Sequence, residues 1–333
     1  TGIEHERSED GSVYLHQHSY TKQLAPMVVA HLRGMDEEKL VDPKTHSQYM
    51  SLLGGVAWMA LTRVDMLVYI QALQRRAHAP RVTDCRRLNL ALRYLKANKA
   101  GIRYKHFKSA TDSLRITCIS DAAFKALPEE ASGLALRGFC SLLSGQPEEK
   151  QVPQATSSVV HLVDFGCRRQ RRVVRSTFGA EINAAIDSLE SGYMLQLAYA
   201  ELFHPPRPSS GSAMFSKADM LRKAAEAGSL RPELHLAIDA ASVYTATIAA
   251  EVTDPAESSL KLHLLCIREA LKYGRLSALW WFDTRDMLAD GLTKGTCERG
   301  PLRQCMETGH FQLLYESKVQ TCGRQRGILD GQL

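Results

Sequence analysis

The pattern of this sequence predicts an α/β fold, a mixed five-stranded sheet with helices packed on its faces, preceded by a mainly helical region. Three observations carry the prediction. Apolar residues recur at helical spacing from about Thr45 to Leu95, short β-branched runs take over after Tyr104, and from Ser176 onward helical stripes alternate with two compact apolar runs.

At the start, Val13, Leu15 and Gln17 alternate with Ser12, Tyr14 and His16 behind the turn-forming Asp10-Gly11, as in one arm of a β-hairpin. Leu52, Val56, Met59 and Ala60, then Val68, Ile70 and Leu73, then Leu88, Leu92 and Leu95 mark three helices, with breaks near Thr62 and Ala79-Pro80. Arg86, Arg87, Arg93 and Lys96 decorate the last of them, where a solvated face and a phosphate-contacting one read alike. Leu114–Ser120, Leu134–Leu143 and Ser158–Asp164 read as an antiparallel meander. A long helix follows from Ser176 to Phe203, with Ser176 or Thr177 as cap and Ile182, Ala185, Leu189, Tyr193 and Leu197 in one stripe. Pro205, Pro206, Pro208 and the Ser/Gly cluster behind them open a linker that holds a short helix near Ala218–Ala227. Leu234–Ile238 makes a fourth strand, Ser242–Ala250 and Ser258–Tyr273 make two amphipathic helices, Ser277–Phe282 makes a fifth strand, and a short helix begins near Asp286. The order is βββ-α-β-α-α-β-α, closed by a tail rich in Gly, Gln and Arg.

The 333 residues leave room for two or three domains, and 44% hydrophobic with 23% charged residues excludes a disordered or fibrous chain. A net charge of +6 favours a polyanionic partner, weakly, because surface charge also serves solubility. Eight cysteines show no C-x-x-C pair and no zinc-type Cys/His spacing, so reduced, unmetallated thiols are expected. No apolar run approaches the roughly 18 residues of a membrane span, and the first residues lack a signal-peptide core. A soluble, intracellular protein with no membrane partner is expected. Its first residue, Thr1, is what an excised piece of a longer polypeptide would show.

Four acids stand at element boundaries: Asp121 at the end of the first meander strand, Glu181 at the opening of the long helix, Asp239 at the end of the fourth strand and Asp290 just after the fifth. Each alone has an ordinary explanation, as a turn residue, a helix cap or a first-turn partner of the helix dipole. Together, in this topology, they are expected to converge. Clustered carboxylates repel unless a cation neutralises them, and an all-oxygen set suits Mg²⁺. With two ions about 4 Å apart such a cluster hydrolyses phosphodiesters. Arg168, Arg169, Arg171, Arg172 and Arg175, beside the helix that bears Glu181, are candidates to hold a nucleic-acid backbone without reading its sequence. Ser176 and Thr177, at the start of that helix, are further candidate nucleic-acid contacts. Trp280 and Trp281 read as core and sheet-face residues, and no histidine is assigned to a proton shuttle.

Several segments resemble copia-type retrotransposon Pol polyproteins. Ser176-Thr177 with Ala180-Glu181 resembles the S-S-T-x-A-E-Y signature, with Ile182 in place of tyrosine, and Thr284-Arg285-Asp286-Met287-Leu288-Ala289-Asp290-Gly291-Leu292-Thr293-Lys294 resembles T-x-x-x-x-A-D-x-L-T-K. Ser120-Asp121-Ala122 is similar to S-D-A-D without its second Asp, and Lys261, His263 and Arg268-Glu269 are similar to the K-H-I…R-E helix. Upstream, Tyr49 to Gly54, Trp58 to Asp65, Arg93-Tyr94-Leu95-Lys96, Gly2-Ile3-Glu4 and Leu15-x-Gln17-x-x-Tyr20 resemble segments at the end of the polymerase.

The resemblance implies residues 1–42 as the end of a reverse-transcriptase palm, 43–108 as thumb and connection, 109–300 as an RNase H-like domain and 301–333 as a C-terminal tail. It implies a ribonuclease H that cleaves the RNA strand of RNA/DNA hybrids with two Mg²⁺ ions, or Mn²⁺ in their place, on Asp121, Glu181, Asp239 and Asp290. The upstream palm and fingers of the same polyprotein are the implied partner, and cytoplasmic particles or the nucleus the implied location. The Y-V-D-D motif is missing from this chain, so no polymerase activity is expected of it. Ala240 replaces the usual asparagine after the third acid, and insertions are expected around Glu148-Glu149-Lys150 and after Phe203. The alternative is an inactive remnant that at most binds nucleic acid; an integrase-type transposase fits the A-D-x-L-T-K segment less well.

Overall fold

A computed structural model describes residues 2–107, 114–124, 135–145, 158–171, 173–203, 217–251, 255 and 257–322. Leu134, Arg172, the Glu148-Glu149-Lys150 insertion, the linker at 204–212 and the tail at 323–333 lie outside the described residues. The chain divides into two compact units, one formed by Thr1–His106 with Lys294–Gly309, the other by Phe107–Thr293 with His310–Leu333.

In the first unit β1 (Glu4–Arg7) and β2 (Val13–His16) form the hairpin, and β3 (Ile102–Tyr104) adds to β2 to complete a three-stranded antiparallel sheet. The Asp10 carboxylate closes the turn by accepting from the Ser12 backbone and hydroxyl, each at 2.9 Å. Behind it come α1 (His18–Gln23), α2 (Pro43–Trp58), α3 (Leu67–Gln74) and α4 (Val82–Ala97). Asp42 caps α2 by accepting from the Lys44 and Thr45 backbone N–H groups at 3.0 and 3.1 Å, with Pro43 at the first helical position. Tyr49, Leu52, Val56, Leu73, Leu88 and Leu92 pack into one core at the spacing the sequence shows.

The break near Thr62 has a specific cause. Two 3-10 turns, Met59–Leu61 and Val64–Met66, bracket Arg63, whose buried guanidinium meets the Asp65 carboxylate at 2.9 and 2.8 Å and donates to the Asn98 carbonyl at 2.7 Å. The T-R-V-D segment is thereby pinned to the end of α4. A paired fork of this kind satisfies both buried charges, and removal of one partner strands the other at a cost of about 3–5 kcal/mol. The final helix of this unit, α10 (Gly300–Thr308), comes from far along the chain; the Arg103 side chain donates to its Glu307 carbonyl at 3.0 Å.

The second unit is a mixed α/β layer structure. Its strands β4 (Leu114–Ala123), β5 (Leu136–Gly145) and β6 (Ser158–Arg169) form the expected meander, antiparallel throughout. The long α5 (Thr177–Phe203) and the short α6 (Lys217–Glu226) lead to β7 (Glu233–Ile238), then α7 (Ala241–Ile248) and α8 (Ser259–Lys272) lead to β8 (Ala278–Phe282). Strands β7 and β8 run parallel to β4.

The sheet departs from expectation in its size: it has seven strands rather than five, in the order β10-β8-β7-β4-β5-β6-β9. Residues assigned to a tail supply the difference, because β9 (His310–Phe311) pairs with β6 and β10 (Ser317–Thr321) pairs antiparallel with β8. A bare edge exposes a row of unpaired backbone groups; β10 pairs along all of β8, while β9 pairs with Ser158 and Val159 at the start of β6. Of the segment expected as a tail, His310–Phe311 and Ser317–Thr321 thus belong to the sheet, and Gly300–Thr308 to the first unit.

Helices α5 and α8 lay Ile182, Ala185, Leu189, Leu260, Leu264 and Ile267 on the sheet residues Ile116, Cys118, Leu234 and Leu236. At Gly192 a Cβ would overlap Cys118 Sγ and stand 2.8 Å from a Leu234 methyl, so a larger residue would displace those side chains. Among the described residues no helix is long and apolar enough to cross a membrane.

Candidate metal centre

Parallel pairing places the first two acids. Ile119 on β4 lies opposite Ala237 on β7, so two residues further on Asp121, still within β4, and Asp239, just past the end of β7, stand at the same level. Glu181 reaches them from the second turn of α5, held there by the Ala122 backbone N–H, which donates to Glu181 Oε2 at 3.1 Å. One oxygen from each of Asp121, Glu181 and Asp239 lies within 4.8 Å of the others. Asp121 and Glu181 are buried and Asp239 is half-buried.

Three charges at such separations repel by roughly 3 kcal/mol per pair at an effective dielectric constant of about 20. Only a cation or bound protons relieve that repulsion. The donor set contains hard carboxylate oxygens and no thiolate or imidazole, which fits a Mg²⁺-like ion and not a soft metal.

The fourth expected acid, Asp290, opens the short helix α9 (Asp290–Thr293) and is buried; the three acids whose oxygens lie within 4.8 Å of one another are the other three. From the same helix the Thr293 hydroxyl donates to Asp121 Oδ2. On the other strand the Thr284 hydroxyl donates to Asp239 Oδ2 at 3.1 Å, and the Trp281 indole donates to the Asp239 carbonyl at 2.8 Å. Sequence reasoning passed over both threonines, although they are the first and the penultimate letters of the T-x-x-x-x-A-D-x-L-T-K segment.

Gly138 explains how α9 comes so near. It lies opposite Asp121 in the β4–β5 register, and a Cβ there would meet Leu292 Cβ and Thr293 Cγ2 at 2.8 Å. Each carboxylate of the cluster thus receives a fixed donor: the Ala122 N–H for Glu181, the Thr293 hydroxyl for Asp121 and the Thr284 hydroxyl for Asp239.

The basic residues divide by environment. Arg168 lies at the end of β6, and Arg168, Arg171 and Arg175 are exposed, whereas Arg169 is half-buried. Arg137, which the sequence did not single out, sits opposite Arg168 on β5 and pairs with Asp187 of α5. Burial first, and then repulsion from Arg168 and Arg171, pushes its pKa below the usual arginine value. Positive charge is therefore concentrated here beyond the run itself. Ser176 is the α5 cap: its Oγ accepts from the Gly179 backbone at 3.0 Å and lies 3.3 Å from Glu257 Oε1, which also takes the Arg175 N–H. Thr177 remains exposed on the first turn.

No protein-family model, no curated protein and no solved structure matches the chain.

Proposed function

We propose that the second unit is a divalent-metal-dependent nuclease of the ribonuclease H type, acting on the RNA strand of RNA/DNA hybrids. The observation that carries this reading is the convergence of Asp121, Glu181 and Asp239, drawn from two parallel strands and a helix, at one end of the sheet. The order β8-β7-β4-β5-β6 inside the larger sheet, with β4 at its centre, supports an RNase H-like arrangement of those five strands. The resemblance of the Ser176–Glu181 and Thr284–Lys294 segments to copia-type Pol polyproteins supports the same reading. On it the first unit is the end of a reverse transcriptase with its thumb and connection, working beside the upstream palm and fingers.

Asp121, Glu181 and Asp239 are the residues that would hold Mg²⁺. A bound divalent ion supplies an activated water at neutral pH and a counter-charge for the departing 3′ oxygen. The chain itself does the rest: Thr293 and Thr284 fix the carboxylates, while Arg168, Arg171 and Arg175 hold the duplex by its phosphates. With Ser176 engaged as a helix cap, Thr177 is the hydroxyl offered to a ribose 2′-OH.

Cleavage of a labelled hybrid in Mg²⁺ tests the reading. Wild type is expected to release 5′-phosphate fragments, with Asp121→Asn and Asp239→Asn inactive; a wild type no faster than these variants refutes it. A second reading, an inactive nucleic-acid-binding remnant, is favoured by Ala240, which stands where the resembled family has asparagine after the third acid. It predicts hybrid binding without cleavage.

A further inference from the structure

A cavity of about 210 Å³ in the first unit is lined by His18 and Lys22 of α1, Lys96 near the end of α4, and Lys99 just beyond it, over an apolar floor that includes Met59 and Leu95. Among the described residues that line it none is acidic, and the one arginine, Arg63, is already bound to Asp65. We propose that this cavity is a binding site for a phosphate group, separate from the carboxylate cluster.

The side chains come from separate places on the chain: His18 and Lys22 are four residues apart on one face of α1, Lys96 lies in the last turn of α4 and Lys99 follows its end. Three lysine ammonium groups around one cavity repel one another, and an anion among them relieves that repulsion. The Lys96 ammonium reaches over to the Lys22 carbonyl at 3.4 Å, so the two helices present their cations to the same space. His18 is held at the cavity by stacking on His16, ring centroids 3.9 Å apart. Burial, and after it the charges of His16 and Lys99, hold the His18 pKa below the usual histidine value against the opposing pull of Glu4, and an anion would raise it again.

Two sources share this chemistry, a free phosphate anion and a phosphodiester of a nucleic-acid backbone. Inorganic phosphate is titrated into the full chain at constant ionic strength while the His18 ring nitrogens are followed by NMR. A saturable shift is expected in wild type, weakened about tenfold or more in Lys22→Gln/Lys96→Gln/Lys99→Gln. These lysines are exposed, so the fold is expected to survive the substitutions, which circular dichroism verifies. No saturable shift, or an equal shift in the triple variant, overturns the site. In a second arm the salt dependence of binding to a DNA duplex is compared between the two proteins. A slope shallower by about 0.9 for each phosphate no longer neutralised identifies a backbone phosphate as the occupant, and an unchanged slope beside an abolished phosphate titration identifies the free anion.

Discussion

The Thr293 hydroxyl donates to Oδ2 of Asp121 across 172 residues of chain, as the Thr284 hydroxyl does to Oδ2 of Asp239 across 45. A donor fixed on one oxygen sets how the carboxylate presents its remaining lone pairs to an ion. Thr293→Val is therefore expected to weaken Mn²⁺ binding by about 10–100-fold, as loss of such an outer partner does, while Thr293→Ser restores it. Isothermal titration with Mn²⁺ reads both. Equal affinity in the valine variant would show that Asp121 needs no such support.

Gly138 makes a neighbouring prediction. With 2.8 Å from a Cβ there to both Leu292 and Thr293, Gly138→Ala must push α9 off β5. Overpacking of this kind costs about 1–3 kcal/mol, which urea unfolding measures, and metal affinity should fall with it. A variant as stable as wild type, with unchanged Mn²⁺ affinity, would contradict the close seating of α9.

Most of the order of elements was legible in the sequence because each helix and strand of the second unit carries its own period, as Ile182, Ala185 and Leu189 do on α5. The edge strands were not: Lys318, Val319 and Gln320 are exposed on a strand whose partner, β8, already has a full apolar signature. Their pairing is a backbone matter that leaves no side-chain pattern. At the site, Asp121 and Asp239 were legible because each directly follows a short apolar run, whereas Thr284 and Thr293 act by hydrogen bonds to residues remote along the chain, which no periodicity shows.

Thiol reactivity separates core from surface. Burial pushes the Cys118 and Cys305 thiols up to about 12, so neither forms thiolate at about pH 8, whereas Cys266 is exposed on α8. Iodoacetamide in native buffer is expected to label Cys266 and to spare Cys118 and Cys305, with all three labelled in denaturant. Mass spectrometry of tryptic peptides reads the result; native labelling of Cys118 would contradict the close approach of Gly192 to β4.

Acid should weaken the second unit through His235. The Trp280 indole N–H donates to His235 Nδ1 at 3.1 Å, so that nitrogen is an acceptor and the buried ring is neutral, with Nε2 facing Glu233 at 3.7 Å. Protonation would set an N–H against the indole N–H. Burial is the main cause that lowers the His235 pKa below 6.5, and Glu233 opposes it only in part. A depressed histidine means that the unfolded chain binds the extra proton first, so stability is present above about pH 6.5 and is lost as pH falls from there toward the folded value. His235→Gln keeps a polar group in place and removes the titration. The wild type should lose more stability than this variant between about pH 7 and pH 5 in urea unfolding, and parallel curves would show that His235 is not the group that titrates.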